Sequence, residues 1–293
     1  TYYGVISPVS DIAEICRERG VKLVVDEAHG AHLPFLPGFG ACAVGLGADI
    51  SVTSAHKTLP APGQTALLFW RDYTQKEARA AMSLTGTTSP NYAMLAAIDL
   101  CRDYMENTGR AEYARAAEAA EKIRSAVNGR GVFRCLTSED TGFKLDPCRL
   151  AVMTGAGRRD CLRLERVFGV TPEMSDQRSV VFIMTCADSD AAMHRLSSSL
   201  QALERIGGRS GRQNLSQDMP PEAEAVMSPR SVLDRKHECV RLSEAAGRIA
   251  ARPLVIYPPG VPAVAPGERI EKKHLEYLRA QGYNDSEAEV VIE

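Results

Sequence analysis

The sequence predicts an α/β protein, with an open sheet in its first third and a smaller α/β part after it. Three observations carry this. The run VKLVV at 21–25 leads straight into Asp26, and a continuous apolar run bounded by turn signals reads as a buried parallel strand. Two more strand-like runs, ADISVTS at 48–54 and QTALLFW at 64–70, follow a loop at 30–47 rich in Gly and Pro. From 149 onward, strand-like and helix-like segments alternate, the pattern of a layered α/β unit.

The elements follow in order. Residues 11–19 (DIAEICRER) place Ile12, Ile15 and Cys16 at helical spacing, and Gly20 supplies the stop. Helical signal dominates 90–128: SPNYAMLAAIDLCRDYMEN opens on Ser-Pro and carries Leu95, Ile98 and Cys101 on one face, and AEYARAAEAAEKIRSAV is rich in alanine. Strand, helix, strand and helix are expected at 149–154, 158–168, 180–186 and 189–205. The polar, Gly/Ser/Pro-containing stretch 207–224 reads as a linker. Beyond it the pattern predicts a helix at 231–246, a strand at 253–257, the turn PPGVPAVAPGE and a last helix near 270–280. Domain boundaries are therefore expected at 1–130, 131–206, 207–224 and 225–293, with no internal repeat.

Composition narrows the function classes. Hydrophobic residues make up 44% and charged residues 25% of 293, ordinary for a soluble globular chain. A net charge of −2, from 35 basic and 37 acidic residues, offers no footprint for nucleic acid or an anionic membrane. The apolar runs at 21–25 and 65–70 are too short to span a bilayer. Eight cysteines are dispersed with no Cys-x-x-Cys pair, which reads as reduced thiols in a cytoplasmic protein. The chain opens TYYGVISPV without an initiator Met, and is read as lacking an N-terminal portion.

Two segments carry chemistry. VVDEAHGAH (24–32) ends a strand in an acid, and SVTSAHKTL (51–59) ends one in Ser-Ala-His-Lys. Asp26 and Lys57 lie 31 residues apart, a span that fits two parallel strands joined by a crossover. Both residues then emerge at the carboxyl edge of the sheet, where open α/β sheets place ligands. A lysine in a partly desolvated site can form a Schiff base with an aldehyde cofactor. A carboxylate keeps a pyridine nitrogen protonated, as pyridoxal phosphate (PLP) requires. Ala28 would point the same way from extended backbone and lie under a flat ring, while Ser54 and His56 flank the lysine and could donate to a phosphate.

Plainer readings stand beside these. Asp26 can be a turn residue and Lys57 a solvated charge. His29 and His32, near Asp26 and Glu27, invite a metal reading, but no further ligand has suitable spacing and no metal is expected.

With these segments together, the sequence resembles the fold-type I PLP-dependent ornithine/lysine/arginine decarboxylases, in their shorter bacterial form. TYYGV (1–5), TGTTSPNYAMLAAIDLCRDYME (85–106), DPCRLAVMT (146–154) and GRIAARPLVIYPPGVPAVAPGERI (247–270) extend the resemblance in order along nearly the whole chain. It implies a PLP-dependent transferase-like (fold-type I) large domain, incomplete at its N-terminus, with a smaller α/β C-terminal part. The implied activity is decarboxylation of lysine, arginine or ornithine, in polyamine biosynthesis, by a homodimer or higher homo-oligomer. Lys57 would be the Schiff-base lysine and Asp26 the ring-nitrogen partner. Ser54 and His56 match phosphate-side contacts, and His56 a proton-transfer role. His29 matches a position beside the cofactor. Thr88 and Ser89 match a segment reaching the phosphate across the dimer interface, with a plain helix cap as the alternative. The family's phosphate loop and ring-stacking histidine come from sequence upstream of Thr1. The stretch PAPGQTALLFW departs from the family by its Pro and Gly content. Competing readings are an α-oxoamine synthase, an aminotransferase, or an inactive partial chain.

Overall fold

A computed structural model describes residues 1–207, 219–257, 260–283 and 286–292. The chain forms two compact units, Thr1–Ser210 and Gly211–Glu293. Most of the expected linker, at 208–218, lies outside the described residues, as do Pro258 and Pro259 of the PPGVP turn.

In the first unit, α1 (Val9–Glu18) ends as expected, with Gly20 adopting φ 65° just past the cap. β1 (Val24–Asp26) pairs in parallel with β2 (Ile50–Ser54), which runs directly into the single helical turn α2 (Ala55–Thr58). β3 (Ala66–Trp70) pairs antiparallel with β2, giving the order β1-β2-β3. The run 21–25 departs from expectation: only its end is strand, and Val21 and Val24 are 57% and 63% exposed. Burial of a parallel strand needs a neighbour on both sides. β1 has β2 on one side and no paired strand on the other among the described residues.

The helices that follow are α3 (Gln75–Ser83), α4 (Tyr92–Tyr104) and α5 (Arg110–Arg130), the last two joined by a π turn at Met105–Gly109. α4 does not start at Ser89-Pro90. The Asn91 side-chain Oδ1 accepts from the Ala93 and Met94 N–H groups at 3.0 and 3.3 Å, while the Ser89 N–H closes its own turn onto Thr87 Oγ1. Asparagine is among the strongest N-caps, which moves the helix start past the proline.

A four-stranded antiparallel sheet comes next. It contains β4 (Arg134–Cys135), β5 (Arg149–Met153), β6 (Met174–Ser175) and β7 (Ser179–Ile183) in the order β4-β5-β7-β6. The short α6 (Ser138–Thr141) precedes β5; α7 (Gly157–Phe168) and α8 (Asp190–Gly207) close the unit. Leu150, Val152, Val180 and Phe182 pack with Ile123, Val127, Leu164, Leu200 and Leu203 of α5, α7 and α8. Ala151 and Val181, on the opposite face, pack against Tyr2 and Tyr3. Both faces are covered, so β5 and β7 are buried along four of five residues each.

The second unit contains α9 (Pro229–Val232), β8 (His237–Arg241), β9 (Leu254–Ile256), β10 (Val261–Val264), α10 (Lys272–Ala280) and β11 (Glu287–Val291). The expected helix at 231–246 is one short turn followed by a strand. β11, some fifty residues onward, supplies an antiparallel ladder from Val291↔His237 to Glu287↔Arg241. That distant pairing overrides the local helical pattern. Part of the expected turn after 257 is likewise strand, because Val261–Val264 pairs with β9. Among the described residues, no helix is long and apolar enough to cross a membrane.

Candidate active site

The parallel pairing sets the site. Asp26 lies opposite Val52, and the next residue, Glu27, donates its N–H to the Val52 carbonyl at 2.9 Å. β2 continues two residues further, to Ser54, before turning into α2. Lys57 therefore stands on a helical turn beyond the strand tip, not on the strand itself. The turn is seated from the core side by Tyr113, a fully buried residue whose hydroxyl donates to the Thr58 carbonyl. Ser54 occupies the N-cap position but makes no side-chain cap bond.

Lys57 reaches His29 from the tip of β2, and the charge of Asp26 acts on the same ring. Lys57 Nζ lies 3.5 Å from His29 Nε2. Both Lys57 and Asp26 are close enough to act on the charge of the imidazole. Burial is the main cause that pushes His29 down to about 4; the charges of Arg149 and Lys57 add to it, and Asp26 pulls the other way. The Tyr2 ring meets His29 edge-on, with centroids 4.5 Å apart.

Behind His29 lies a buried network that the sequence reading did not include. Arg149, at the start of β5, donates to His29 Nδ1 at 2.9 Å and to Asp146 Oδ2 at 3.3 Å. The other oxygen of Asp146 meets His32 Nε2 at 3.1 Å and the Cys148 N–H at 2.9 Å. Burial alone would raise the Asp146 carboxyl, but the His32 hydrogen bond, the charges of His32 and Arg149, and the Cys148 N–H together hold it below the usual carboxylate range. His32, Asp146 and Cys148 bring ligand-type atoms within 4.8 Å of one another. Both oxygens of that carboxylate are already engaged, one by Arg149 and the other by His32 and the Cys148 N–H. One signal in the sequence marked this network: a charged residue leads the otherwise apolar strand RLAVM.

The remaining candidates fall as follows. Ala28 is in a turn rather than extended backbone, and its N–H donates to Asp26 Oδ1 at 2.9 Å. Asp26 therefore does serve as a turn residue, through one of its oxygens. His56 is exposed and donates from Nδ1 to the Thr65 carbonyl at 2.9 Å, which leaves Nε2 as its outward atom. Thr88 and Ser89 are exposed, and no hydrogen bond joins them to Asp26, His29 or Lys57 among the described residues. A largely apolar cleft of about 770 Å³ opens on the side of the sheet that Glu27, Thr53 and Ala55 face, and no candidate residue lines it.

The model of the Orn/Lys/Arg decarboxylase major domain matches residues 1–148, just over half of the chain. The chain belongs to the ornithine/lysine/arginine decarboxylase family. The model of that family's C-terminal domain matches residues 182–287. Curated relatives include the arginine decarboxylases of Bacillus subtilis (strain 168), 30% identical over 295 residues, and of Bacillus anthracis, 28% identical over 291. Each alignment covers 95% of this chain and 59% of the relative, so the chain spans about three-fifths of the length of the decarboxylases it matches. Among solved structures, the constitutive lysine decarboxylase of E. coli superposes with a TM-score of 0.79 at 18% identity, covering 100% of this chain and 57% of that one. Lysine decarboxylase A of Pseudomonas aeruginosa gives 0.78 at 19% identity, covering 100% and 56%. The fold is fold-type I, mixed α/β.

Proposed function

We propose that this family member takes part in PLP-dependent decarboxylation of a basic amino acid, with Lys57, Asp26 and His56 as its reactive residues. The observation that carries the reading is the parallel pairing of β1 with β2, which sets the Asp26 carboxylate at the end of one strand and the Lys57 amine, 3.5 Å from His29, on the turn just past the other. Relatives named arginine decarboxylases favour arginine over lysine and ornithine as the substrate.

The donor chemistry fits the cofactor. Lys57 offers the primary amine that would hold its aldehyde, and Asp26 the carboxylate that would hold a proton on its ring nitrogen. His29 and the small Ala28 would lie beside the ring, and the Ser54 hydroxyl is not spent on capping α2. Thr88 and Ser89 remain candidates for the phosphate of a second copy. Pyridoxal phosphate, when bound, supplies the sink for the electron pair left as CO2 departs. His56 is fixed by its Nδ1 donation to Thr65, so Nε2 is the atom that would first take up a proton and then return it to the substrate carbon. A homodimer is supported by apolar side chains exposed along 82–100, including Leu84 at 84% and Tyr92 at 79%. Buried thiols at Cys101, Cys135, Cys148 and Cys186 agree with a reducing, cytoplasmic setting.

The test supplies PLP and L-arginine, L-lysine or L-ornithine, and measures amine and CO2. Arginine is expected to give the most product, and Lys57→Ala to reduce it to background. Borohydride should fix a pyridoxyl mass on the peptide containing Lys57. A keto acid product, a requirement for a CoA ester, or the mass on another lysine overturns the reading.

A further inference from the structure

Arg149 joins the strand-tip site to the interior of the unit. Its side chain is 1% exposed and that of Asp146 is 5%. The guanidinium is held from three directions. Nε donates to Asp146, one terminal nitrogen to the Tyr2 carbonyl at 3.1 Å, and the other to His29 Nδ1 at 2.9 Å with the His29 carbonyl at 3.4 Å. Asp146 is pinned in turn by His32 and by the Cys148 N–H. Such a fork has little freedom to turn away from the imidazole.

The identity of the donor decides the state of the ring. An arginine carries N–H donors only and keeps its proton at any working pH. His29 Nδ1 must therefore accept. A neutral imidazole has one ring proton, which is then left on Nε2, the atom 3.5 Å from Lys57 Nζ.

We propose that Arg149 is a positioning residue: seated on Asp146, it fixes His29 as the Nε2–H tautomer and aims that N–H at the Lys57 nitrogen. This rests on the reading of Lys57 as the cofactor-bearing amine. An N–H so directed pairs with a nitrogen lone pair and has nothing to offer an ammonium, whose own hydrogens would oppose it. The form of Lys57 that can attack an aldehyde is thus the form His29 is set to meet. The charged and titratable groups against the ring are Arg149 from β5, Lys57 from α2 and the Tyr2 phenol, and the charge of Asp26 on β1 acts on it as well. With these around it, and with its titration pushed down to about 4, the ring is neutral near pH 7. A lysine at 149 would be a single-point donor, unable to hold Asp146, Tyr2 and His29 together.

The experiment is a ¹⁵N NMR titration of His29 in the cofactor-free full chain. The wild type is expected to show the Nε2–H tautomer, titrating near 4. In Arg149→Met the titration should rise toward the ordinary 6.5 and the tautomers should mix; Arg149→Lys should fall between. An Nδ1–H tautomer in the wild type overturns the proposal, and so does an Arg149→Met spectrum identical to it. If Arg149→Met fails to fold, the wild-type tautomer alone decides. With PLP added, Arg149→Lys should lower kcat more than it raises KM. Failure of the pyridoxyl mass to appear on Lys57 would remove the decarboxylase reading and leave the tautomer result standing. The wrong tautomer with that mass in place would remove only the role of Arg149.

Discussion

The two sheets of the first unit handle burial differently. In β1-β2-β3, β1 is largely exposed, and the reactive candidates Asp26, His56 and Lys57 all stand in or near solvent. In β4-β5-β7-β6, the central strands are buried on both faces, and the charged residue they carry, Arg149, is paired with Asp146. Reactive groups need access, and groups that hold them in place need immobility. One unit meets both needs by reaching from the buried sheet to the open one through Arg149 and His29.

The largest expected effect tests the contrast in burial itself. Leu150→Ala in the buried sheet, where Leu150 is fully buried, should lower stability by about 2–5 kcal/mol. Val24→Ala in the open sheet, at a residue 63% exposed, should stay within about 0.5 kcal/mol. Urea denaturation of both variants measures the difference, and equal costs would break the comparison.

A smaller effect is expected where the N-terminal segment passes over Arg149. Gly4 has φ 93°, and a Cβ there would lie 2.9 Å from Arg149 Cβ. Gly4→Ala combines strained backbone with displacement of the arginine stem and should cost about 1–3 kcal/mol. The same variant should raise the titration of His29, because the guanidinium moves; a denaturation curve and an NMR titration report the two parts separately.

The pH dependence is the finest test. His29 titrates near 4 when folded against 6.5 ordinarily, so between these values the unfolded chain binds the proton that the native ring refuses. Its contribution to stability should therefore rise as pH climbs from about 4 to about 6.5 and be constant above. The wild type minus His29→Asn, followed as denaturation midpoint against pH, isolates that slope; a flat difference would show that neither burial nor the neighbouring charges depress the ring.

Much of this was legible without coordinates. The apolar runs ending in Asp26 and in Ser54 located both strand tips, and the alanine-rich stretch located α5, because these signals lie within a few residues of one another. The helix expected at 231–246 failed for the opposite reason: its partner strand is β11, and local pattern cannot register a ladder fifty residues away. The helix start at Asn91 rather than Ser89 turned on which of several nearby polar side chains captured the free N–H groups.

The sequence by itself determined the candidate residue types and their spacing: a carboxylate at the end of one strand and an amine just past another. Tertiary structure alone decided what stands between them. His29 meets Arg149 from 120 residues away and Lys57 from 28, and Arg149 is steered there by Asp146 and by a glycine at position 4 that leaves room for its stem. Spacing along a chain sets which residues can reach an edge of a sheet. Hydrogen-bond direction, which fixes a ring's tautomer and aim, exists only once distant donors and acceptors have been packed together.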